Sequence, residues 1–273
     1  MTWEEAVRSL IDDPSQRDLA VGAYFDLPLT AAAKRYASGP EWQAIRALTG
    51  KPCGVAVDVG AGNGVVSYAL ACDGWTVIAI EPDPSDLVGA GAIRQLSQAT
   101  GLAIDVRGGY GEGLPLETGS VALVIARQVL HHARDLQGFC REIARVLAPG
   151  GMLVSARDHV ITGPGQLQAF LDSHPLHKLY GGENAFELKE YRAAIKNAGL
   201  VIEREIGPLE SVINYAPHTY ATLRAEIANR LGPLGIVAKA ALRSDTVMAA
   251  TLQMFSRVDR RPGRLVSFVA RKV

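Results

Sequence analysis

The sequence has little cysteine. Its three cysteines, Cys53, Cys72 and Cys140, are widely spaced among 273 residues and include no Cys-x-x-Cys pair. An odd, scattered set is typical of reduced thiols in a cytoplasmic protein and argues against a disulfide framework. Cys72 and Cys140 fall on helical patterns beside apolar neighbours, so we expect both to pack in the core.

The sequence also lacks a net charge, a signal peptide and an apolar run of membrane length. Lysine plus arginine and aspartate plus glutamate number 28 each, so no overall field attracts nucleic acid or an anionic membrane. The most apolar long stretch, residues 235–255, is interrupted by Lys239, Arg243 and Asp245 and is too charged to span a bilayer. The first residues lack the basic start and apolar run of a signal peptide. We expect a cytoplasmic protein without a nucleic-acid or membrane partner.

Apolar, strand-like segments alternate with helical patterns along much of the chain. A hydrophobic content of 48% is ample for a large core. The predicted strands are residues 55–59, 75–80, 104–107, 121–125, 152–156, 200–206 and 264–270. The alternation of helix and strand predicts an α/β fold with a parallel, doubly wound sheet and right-handed crossovers.

A glycine-rich turn follows the first predicted strand. Asp58 is the one carboxylate within that strand, and Gly60, Gly62 and Gly64 let the backbone turn sharply and approach a ligand at the start of a helix. The second strand ends in Glu81, roughly 20 residues later, where a carboxylate binds ribose hydroxyls in nucleotide-binding folds. The turn reads Gly-x-Gly-x-Gly, which differs from the Gly-x-Gly-x-x-Gly of dinucleotide-binding folds. The sequence therefore predicts a nucleotide site of another kind.

Residues 58–64, Asp-Val-Gly-Ala-Gly-Asn-Gly, resemble the first motif of the class I, Rossmann-like S-adenosylmethionine-dependent methyltransferases. The likeness continues in the family's order through residues 109–116, 125–132 and 146–153. Residues 150–200 resemble a subgroup of small bacterial methyltransferases that are similar to methyltransferase type 11. The resemblance implies S-adenosyl-L-methionine as cofactor and S-adenosyl-L-homocysteine as product. It also implies a Rossmann-like, doubly wound, seven-stranded, mostly parallel sheet with an antiparallel last strand.

The resemblance implies a set of cofactor-binding residues in the turns that follow the first four strands. In the family an acid often contacts the adenine where this chain has Tyr110. Either the Tyr110 ring packs against the base, or Glu112 and the Gly111 backbone supply the contact. Arg127 either pairs with an anionic group of cofactor or substrate or braces its own loop. The predicted set is Asp58, Gly60, Ala61, Gly62, Asn63, Gly64, Glu81, Pro82, Tyr110, Gly111, Glu112, Ala126, Arg127 and Gln128.

Methyl transfer from a sulfonium needs alignment, exclusion of water and, for a hydroxyl acceptor, removal of a proton. Imidazole titrates near neutral pH, so His159, His177 and His131 are the predicted catalytic bases. His159 ranks first because it directly follows the fifth predicted strand. His131 and His132 are expected to open a helix.

The acceptor site is predicted from polar residues near these histidines and from the N-terminal aromatics. Residues 174–186 read as an exposed loop or a functional lid. His159, His174, His177 and Glu183 have side chains that suit zinc, but His174-Pro-Leu-His177 carries no fixed helical geometry, so we predict no metal site. The predicted substrate-binding residues are Tyr24, Asp158, Tyr180, Glu183 and Asn184.

We divide the chain into an N-terminal helical cap, residues 1–50, and a methyltransferase domain, residues 51–273. Residues 207–263 are expected to form a helical insertion that shapes the substrate pocket or a homodimer face. The predicted activity is methyl transfer to oxygen or nitrogen of a small metabolite or sugar-type acceptor. The alternatives are a non-catalytic protein that binds the same cofactor or acts as a scaffold, and an NAD-dependent oxidoreductase.

Overall fold

A computed structural model describes residues 2–230 and 240–273 of the chain. Its centre is one sheet of eight strands. The strands are β1 (Val55–Val59), β2 (Thr76–Ile80), β3 (Ile104–Arg107), β4 (Val121–Arg127), β5 (Leu147–Ile161), β6 (Phe186–Glu187), β7 (Leu200–Ile206) and β8 (Arg264–Lys272).

The sheet has the order β3-β2-β1-β4-β5-β8-β7, and the two-residue β6 pairs with the far end of β5. Strands β1 to β5 are parallel, whereas β8 runs antiparallel to both β5 and β7. This order confirms the predicted α/β class and the antiparallel last strand. The one addition is β6, which is too short to leave a periodic signal.

Helices cover both faces of the sheet. In the described ranges they are α1 (Trp3–Asp12), α2 (Arg17–Gly22), α3 (Leu29–Ser38), α4 (Pro40–Thr49), α5 (Val65–Asp73), α6 (Ala90–Thr100), α7 (Leu136–Val146), α8 (Leu167–Ser173), α9 (Pro175–Leu179), α10 (Leu188–Asn197), α11 (Val212–Tyr215), α12 (Tyr220–Arg230) and α13 (Asp245–Val258). Every helix in these ranges is too short or too polar to cross a bilayer. Residues 231–239, part of the predicted insertion, lie outside the described residues.

The core has two main layers, one on each face of the central strands. On one face α7 and α10 bury Phe139, Ile143 and Tyr191 against the sheet. On the other, α3, α4 and α5 bury an aromatic group that includes Tyr36 and Trp42. Cys140 is buried in the first layer, as expected. The expectation for Cys72 is wrong, because this residue is exposed on the outer side of α5.

Several boundaries differ from the sequence-based prediction, and three of them affect the site. Strand β5 continues past residue 156 to Ile161, because a bulge at Arg157, with φ of +63°, lets the chain rejoin β8. His131 and His132 lie in a short 3₁₀ turn, Leu130–His132, and α7 begins only at Leu136. Asp83 followed by Pro84 predicts a helix start, but α6 begins only at Ala90, since the Asp83 side chain accepts a hydrogen bond from Ser85 N and forms a turn.

Candidate functional site

The glycine turn after β1 connects the ends of two neighbouring strands. The amides of Gly60 and Ala61 donate to the Ile80 carbonyl at the end of β2, at 2.9 and 3.1 Å. Gly60 has φ of +64°, and a Cβ there would lie 2.0 Å from the Val129 side chain. Both the backbone conformation and the close packing therefore require glycine at this position.

Glu81 lies at the carboxyl end of β2 and faces the glycine turn. Its Oε2 accepts a hydrogen bond from Gly62 N at 2.7 Å, and its Oε1 accepts one from Asp83 N at 2.9 Å. Each carboxylate oxygen has two lone pairs, so acceptor capacity remains for the two hydroxyls of a ribose. Burial raises the pKa of Glu81 to about 7. This geometry suits the predicted role of Glu81 in holding the cofactor ribose.

Asp58 is enclosed within β1 and is only 1% exposed. Its Oδ2 accepts a hydrogen bond from Ser67 Oγ on α5 at 2.6 Å. Because the carboxylate is buried and already bonded to α5, the prediction of a direct cofactor contact is corrected. We propose that Asp58 shapes the glycine turn from behind.

Replacing Asp58 with Asn is expected to change how stability depends on pH. Burial raises the pKa of Asp58 from 3.8 to about 7 in the folded protein, so the stability that this group contributes is present below the unfolded pKa and is lost as pH rises through the folded pKa. Between about pH 5 and about pH 8, the free energy of unfolding of Asp58→Asn should gain ~3 kcal/mol relative to the unmodified protein.

Urea unfolding of both proteins at the two pH values measures this change. The matched control is Asp12→Asn, at an exposed carboxylate of α1, for which the difference should stay within ~0.5 kcal/mol. If the stability difference between Asp58→Asn and the unmodified protein depended on pH as little as that of Asp12→Asn, the proposal would be wrong. Asp58 would then not be a buried carboxyl group that keeps its proton.

The loop after β3 holds the residues predicted to contact the adenine. Tyr110 is 65% exposed, and the Arg134 guanidinium lies 6.0 Å from its ring centroid. Gly111 packs against the Phe139 ring, where a Cβ would lie 2.1 Å from a ring carbon. Glu112 accepts hydrogen bonds from the backbone N–H groups of Arg134 and Asp135, at 2.9 and 3.4 Å. The Glu112 prediction is therefore corrected to a structural role, which leaves the Tyr110 ring as the open side chain.

The remaining predicted cofactor residues lie around the ends of β2 and β4. Pro82 is exposed in the turn after β2, and Ala126 is fully buried within β4. Gln128 has φ of +55°, and its N–H donates to the Ala156 carbonyl of β5 at 2.7 Å. The Arg127 Nη1 donates to the Gln128 side chain at 2.9 Å. The structure thus brings Gln128 to the edge of the sheet and leaves Ala126 as core.

Arg127 belongs to a buried charge network that the sequence analysis missed. Its Nε and Nη2 donate to Glu41 of α4 at 2.6 and 3.2 Å, and the Arg157 guanidinium lies 3.7 Å from the same carboxylate. Glu41 is 2% exposed, and burial alone raises its pKa. The positive charges of Arg127 and Arg157 outweigh burial, so the pKa of Glu41 lies below its ordinary value. Arg127 therefore braces its loop, and the two arginines leave one positive charge in excess.

Tyr24 joins the N-terminal helices to the glycine turn. Its carbonyl accepts a hydrogen bond from the Asn63 side-chain amide at 2.8 Å, and its backbone has φ of +62°. The ring packs edge-on against Tyr36, with centroids 5.0 Å apart, and lies 5.8 Å from the Arg127 guanidinium. Asn63 therefore holds the cap in place, and Tyr24 lies between the turn and the charge network.

Five of the six histidines of the chain lie in residues 131–177, and four of them surround Glu183 or its neighbours. His131 Nδ1 donates to Asp158 Oδ1 at 3.0 Å, and Asp158 is fully buried with its other oxygen bonded to Ser155 Oγ. The prediction that Asp158 contacts substrate is corrected, because its side chain is enclosed in β5. It positions the His131 ring instead. Ser155 had no signal in the sequence.

His159 lies inside β5 rather than after it, which corrects the reason for ranking it first. Its Nδ1 donates to the Gly263 carbonyl at 2.9 Å, and its ring lies 4.8 Å from that of His131 and 5.2 Å from that of His174. Burial lowers the pKa of His159 to about 3. Its ring is enclosed and its Nδ1 is bonded to Gly263, so the catalytic role of His159 stays a prediction.

Glu183 lies among the histidine rings. Its Oε2 is 3.5 Å from His131 Nε2 and 4.0 Å from His132 Nε2, and its Oε1 is 3.8 Å from His174 Nδ1. Burial alone raises its pKa, but the neighbouring histidines outweigh burial and bring it to about 2.

The other predicted acceptor residues lie on the segment around α9. His177 is on α9, and its Nδ1 is buried without a hydrogen-bond partner among the described residues. Tyr180 is 48% exposed, and its ring packs against Trp3 of α1 with centroids 5.5 Å apart. Asn184 is partly exposed beside Glu183 in the chain. The segment therefore contacts the N-terminal helices at one end and the histidine cluster at the other.

The centre of the chain is similar to known proteins. Residues 57–155 match the family model described as a methyltransferase domain. A ubiquinone biosynthesis O-methyltransferase of Methylocella silvestris is 35% identical over 100 residues, which cover 37% of this chain and 38% of that protein. The matches to such relatives span from 38% to 61% of their lengths.

Solved structures share the fold over nearly the whole chain. A structure described as a putative sarcosine dimethylglycine methyltransferase from Galdieria sulphuraria has a TM-score of 0.59 and 22% identity, covering 98% of each chain. A geranyl diphosphate methyltransferase in complex with S-adenosylmethionine has a TM-score of 0.56 and 18% identity, covering 97% of this chain and 95% of that one. At these identities the likeness concerns the fold.

Proposed function

We propose, on the premise that residues 57–155 are a class I S-adenosylmethionine-dependent methyltransferase domain, that this chain transfers the cofactor's methyl group to oxygen or nitrogen of a small-molecule acceptor. The domain match confirms the predicted family and, with it, the predicted cofactor. The acceptor class, a small metabolite or sugar-type molecule, is part of the proposal. The homodimer and the absence of a nucleic-acid partner stay predictions.

One observation carries the proposal, which is the position of the Glu81 carboxylate against the glycine turn. Glu81 and Gly62 are joined by a hydrogen bond at the carboxyl ends of β1 and β2, where ligands bind in open α/β sheets. A nucleoside placed there has the Tyr110 ring beside its base and the end of β4 beside its amino-acid part. The reactive methyl then points along the same edge toward the histidine cluster.

The acceptor lies, in this proposal, between the cofactor and the histidine cluster. The glycine turn packs on Val129, two residues before His131, so the two parts of the site are close along the sheet edge. The buried rings and Glu183 exclude water from this region, as methyl transfer requires. The residues proposed to face the acceptor are Tyr24, Glu183, Asn184 and the exposed edge of Tyr180.

Titration calorimetry with S-adenosyl-L-homocysteine and with NAD tests the cofactor half of the proposal. We expect saturable binding of one S-adenosyl-L-homocysteine per chain and no heat with NAD. Methyl transfer from labelled S-adenosyl-L-methionine to a panel of phenols, hydroxy acids, amines and sugars then tests the reaction. Folded protein without affinity for either form of the cofactor would overturn the proposal, whereas binding without turnover on any acceptor would support the non-catalytic alternative.

A further inference from the structure

Two histidines and a glutamate from three separate parts of the chain present potential metal ligands to one another. His131 follows β4, His159 lies in β5, and Glu183 lies between α9 and β6. One ligand atom from each residue lies within 4.8 Å of those from the other two. His131 and His159 are buried, and the Glu183 side chain is 10% exposed. We propose that these three side chains bind a divalent transition-metal ion.

The hydrogen bonds of the two imidazoles leave the Nε2 atom of each ring without a proton, as metal binding requires. Oxygen atoms only accept, so the bonds from His131 to Asp158 and from His159 to the Gly263 carbonyl place a proton on each Nδ1. Each Nε2 therefore carries a lone pair, and that of His131 lies 3.5 Å from Glu183 Oε2. A carboxylate or carbonyl behind the distal ring nitrogen is the usual support of a metal-bound histidine, because it fixes both tautomer and ring orientation.

The third ligand is a buried carboxylate oxygen with unused acceptor capacity. Glu183 Oε2 has no hydrogen-bond partner among the described residues, although it is buried and lies 3.5 Å from His131 Nε2. Two ligands bound at ~2.1 Å in tetrahedral geometry lie ~3.4 Å apart. The separation of Glu183 and His131 therefore already matches that of two ligands on one ion, and the other ligand atoms, within 4.8 Å, need to approach by up to ~1.4 Å.

The charge of the cluster also suits a divalent ion. The carboxylates of Asp158 and Glu183 carry two negative charges when ionised, and both are enclosed on either side of the His131 ring. A buried carboxylate without full compensation is costly, and an M²⁺ ion neutralises the pair. Two imidazoles and one carboxylate favour Zn²⁺, Fe²⁺ or Co²⁺ over Mg²⁺, which prefers oxygen ligands and retains its waters.

This ligand set differs from the one that the sequence analysis set aside. His174 and His177 are close in sequence, but His131 is the residue that completes the site. The His174 ring lies beside that of His159, and its Nδ1 is 3.8 Å from Glu183 Oε1, so it flanks the carboxylate. The metal site itself is independent of the proposed activity. Only its role rests on that function: an ion held by His131, His159 and Glu183 would lower the pKa of an acceptor hydroxyl, and the released proton would leave the site for bulk solvent.

Metal binding by the full chain, without an affinity tag and after treatment with a chelator, tests the inference directly. We expect Co²⁺ to bind with one ion per chain, to show ligand-field absorption typical of nitrogen ligation, and to be displaced by Zn²⁺ but not by Mg²⁺. Glu183→Gln, which keeps the shape of the side chain, should weaken Co²⁺ binding by at least ~100-fold. His218→Ala, at the one histidine outside residues 131–177, is the matched control and should leave the affinity unchanged.

Binding of S-adenosyl-L-homocysteine to each variant separates this inference from the proposed function. If S-adenosyl-L-homocysteine binds but no saturable Co²⁺ site exists, the metal site is wrong and the methyltransferase proposal stands. The same conclusion follows if Glu183→Gln binds Co²⁺ as tightly as the unmodified chain. If Co²⁺ binds but S-adenosyl-L-homocysteine does not, the metal site stands and the methyltransferase proposal is wrong. Competition by Mg²⁺ at similar concentration would also overturn the inference, because it would indicate an oxygen-only site.

Discussion

Replacing Glu41 with Gln is expected to destabilise the folded protein by ~3–5 kcal/mol, the cost of leaving a buried charge without its partner. Glu41 is the carboxylate that both Arg127 and Arg157 contact, and it is 2% exposed. Without it, two enclosed guanidiniums face each other with no counter-charge. Urea unfolding monitored by circular dichroism measures the loss of free energy.

The matched control for this prediction is Glu205→Gln. The Glu205 carboxylate also pairs with an arginine, Arg192, at 2.7 Å, but the pair is on the surface with the arginine side chain 46% exposed. Breaking such a pair costs ~1 kcal/mol or less. Similar losses in the two variants would indicate that the Glu41 network is solvated and would remove the argument that it braces the end of β4.

Replacing Glu81 with Ala is expected to weaken binding of S-adenosyl-L-homocysteine by ~10–100-fold, because hydrogen bonds to an ionised group contribute ~1.5–3 kcal/mol each. The same change leaves Gly62 N without its acceptor in the glycine turn. Titration calorimetry measures the affinity, and thermal unfolding shows whether the variant is folded.

Glu112→Ala is the control, since Glu112 is another carboxylate of the predicted cofactor set. In the structure it accepts hydrogen bonds from the backbone before α7, so we expect its loss to change the affinity by about twofold or less. If both variants lost affinity equally, Glu112 would contact the adenine after all. If neither did, the placement of the ribose at Glu81 would be wrong.

The central fold was predictable because its signals are local. Strands β1, β2 and β4 are apolar on both faces, and Gly101 and Gly199 mark the ends of α6 and α10 with left-handed backbone. The glycine turn and Glu81 are short motifs whose geometry depends on a few adjacent residues. Such features need no knowledge of distant contacts.

The charge network and the course of β5 were not predictable for the opposite reason. Glu41 lies on a helix whose pattern looks ordinary, and its partner Arg127 is 86 residues away. The bulge at Arg157 depends on Ser267 of β8, whose Oγ accepts a hydrogen bond from the Arg157 N–H at 2.9 Å. Without that partner, the polar residues Arg157-Asp158-His159 read as the end of a strand.

The cofactor part of the proposed site draws on residues 60–128, whereas the acceptor part draws mainly on residues 131–184, together with Tyr24 and Gly263. The loop and short helices between β5 and β6 can therefore be exchanged for others without altering a single residue that holds the nucleoside. A protein built in this way can change the acceptor that it prefers and keep the same methyl donor. Acceptor selectivity and donor recognition then depend on different segments of one polypeptide.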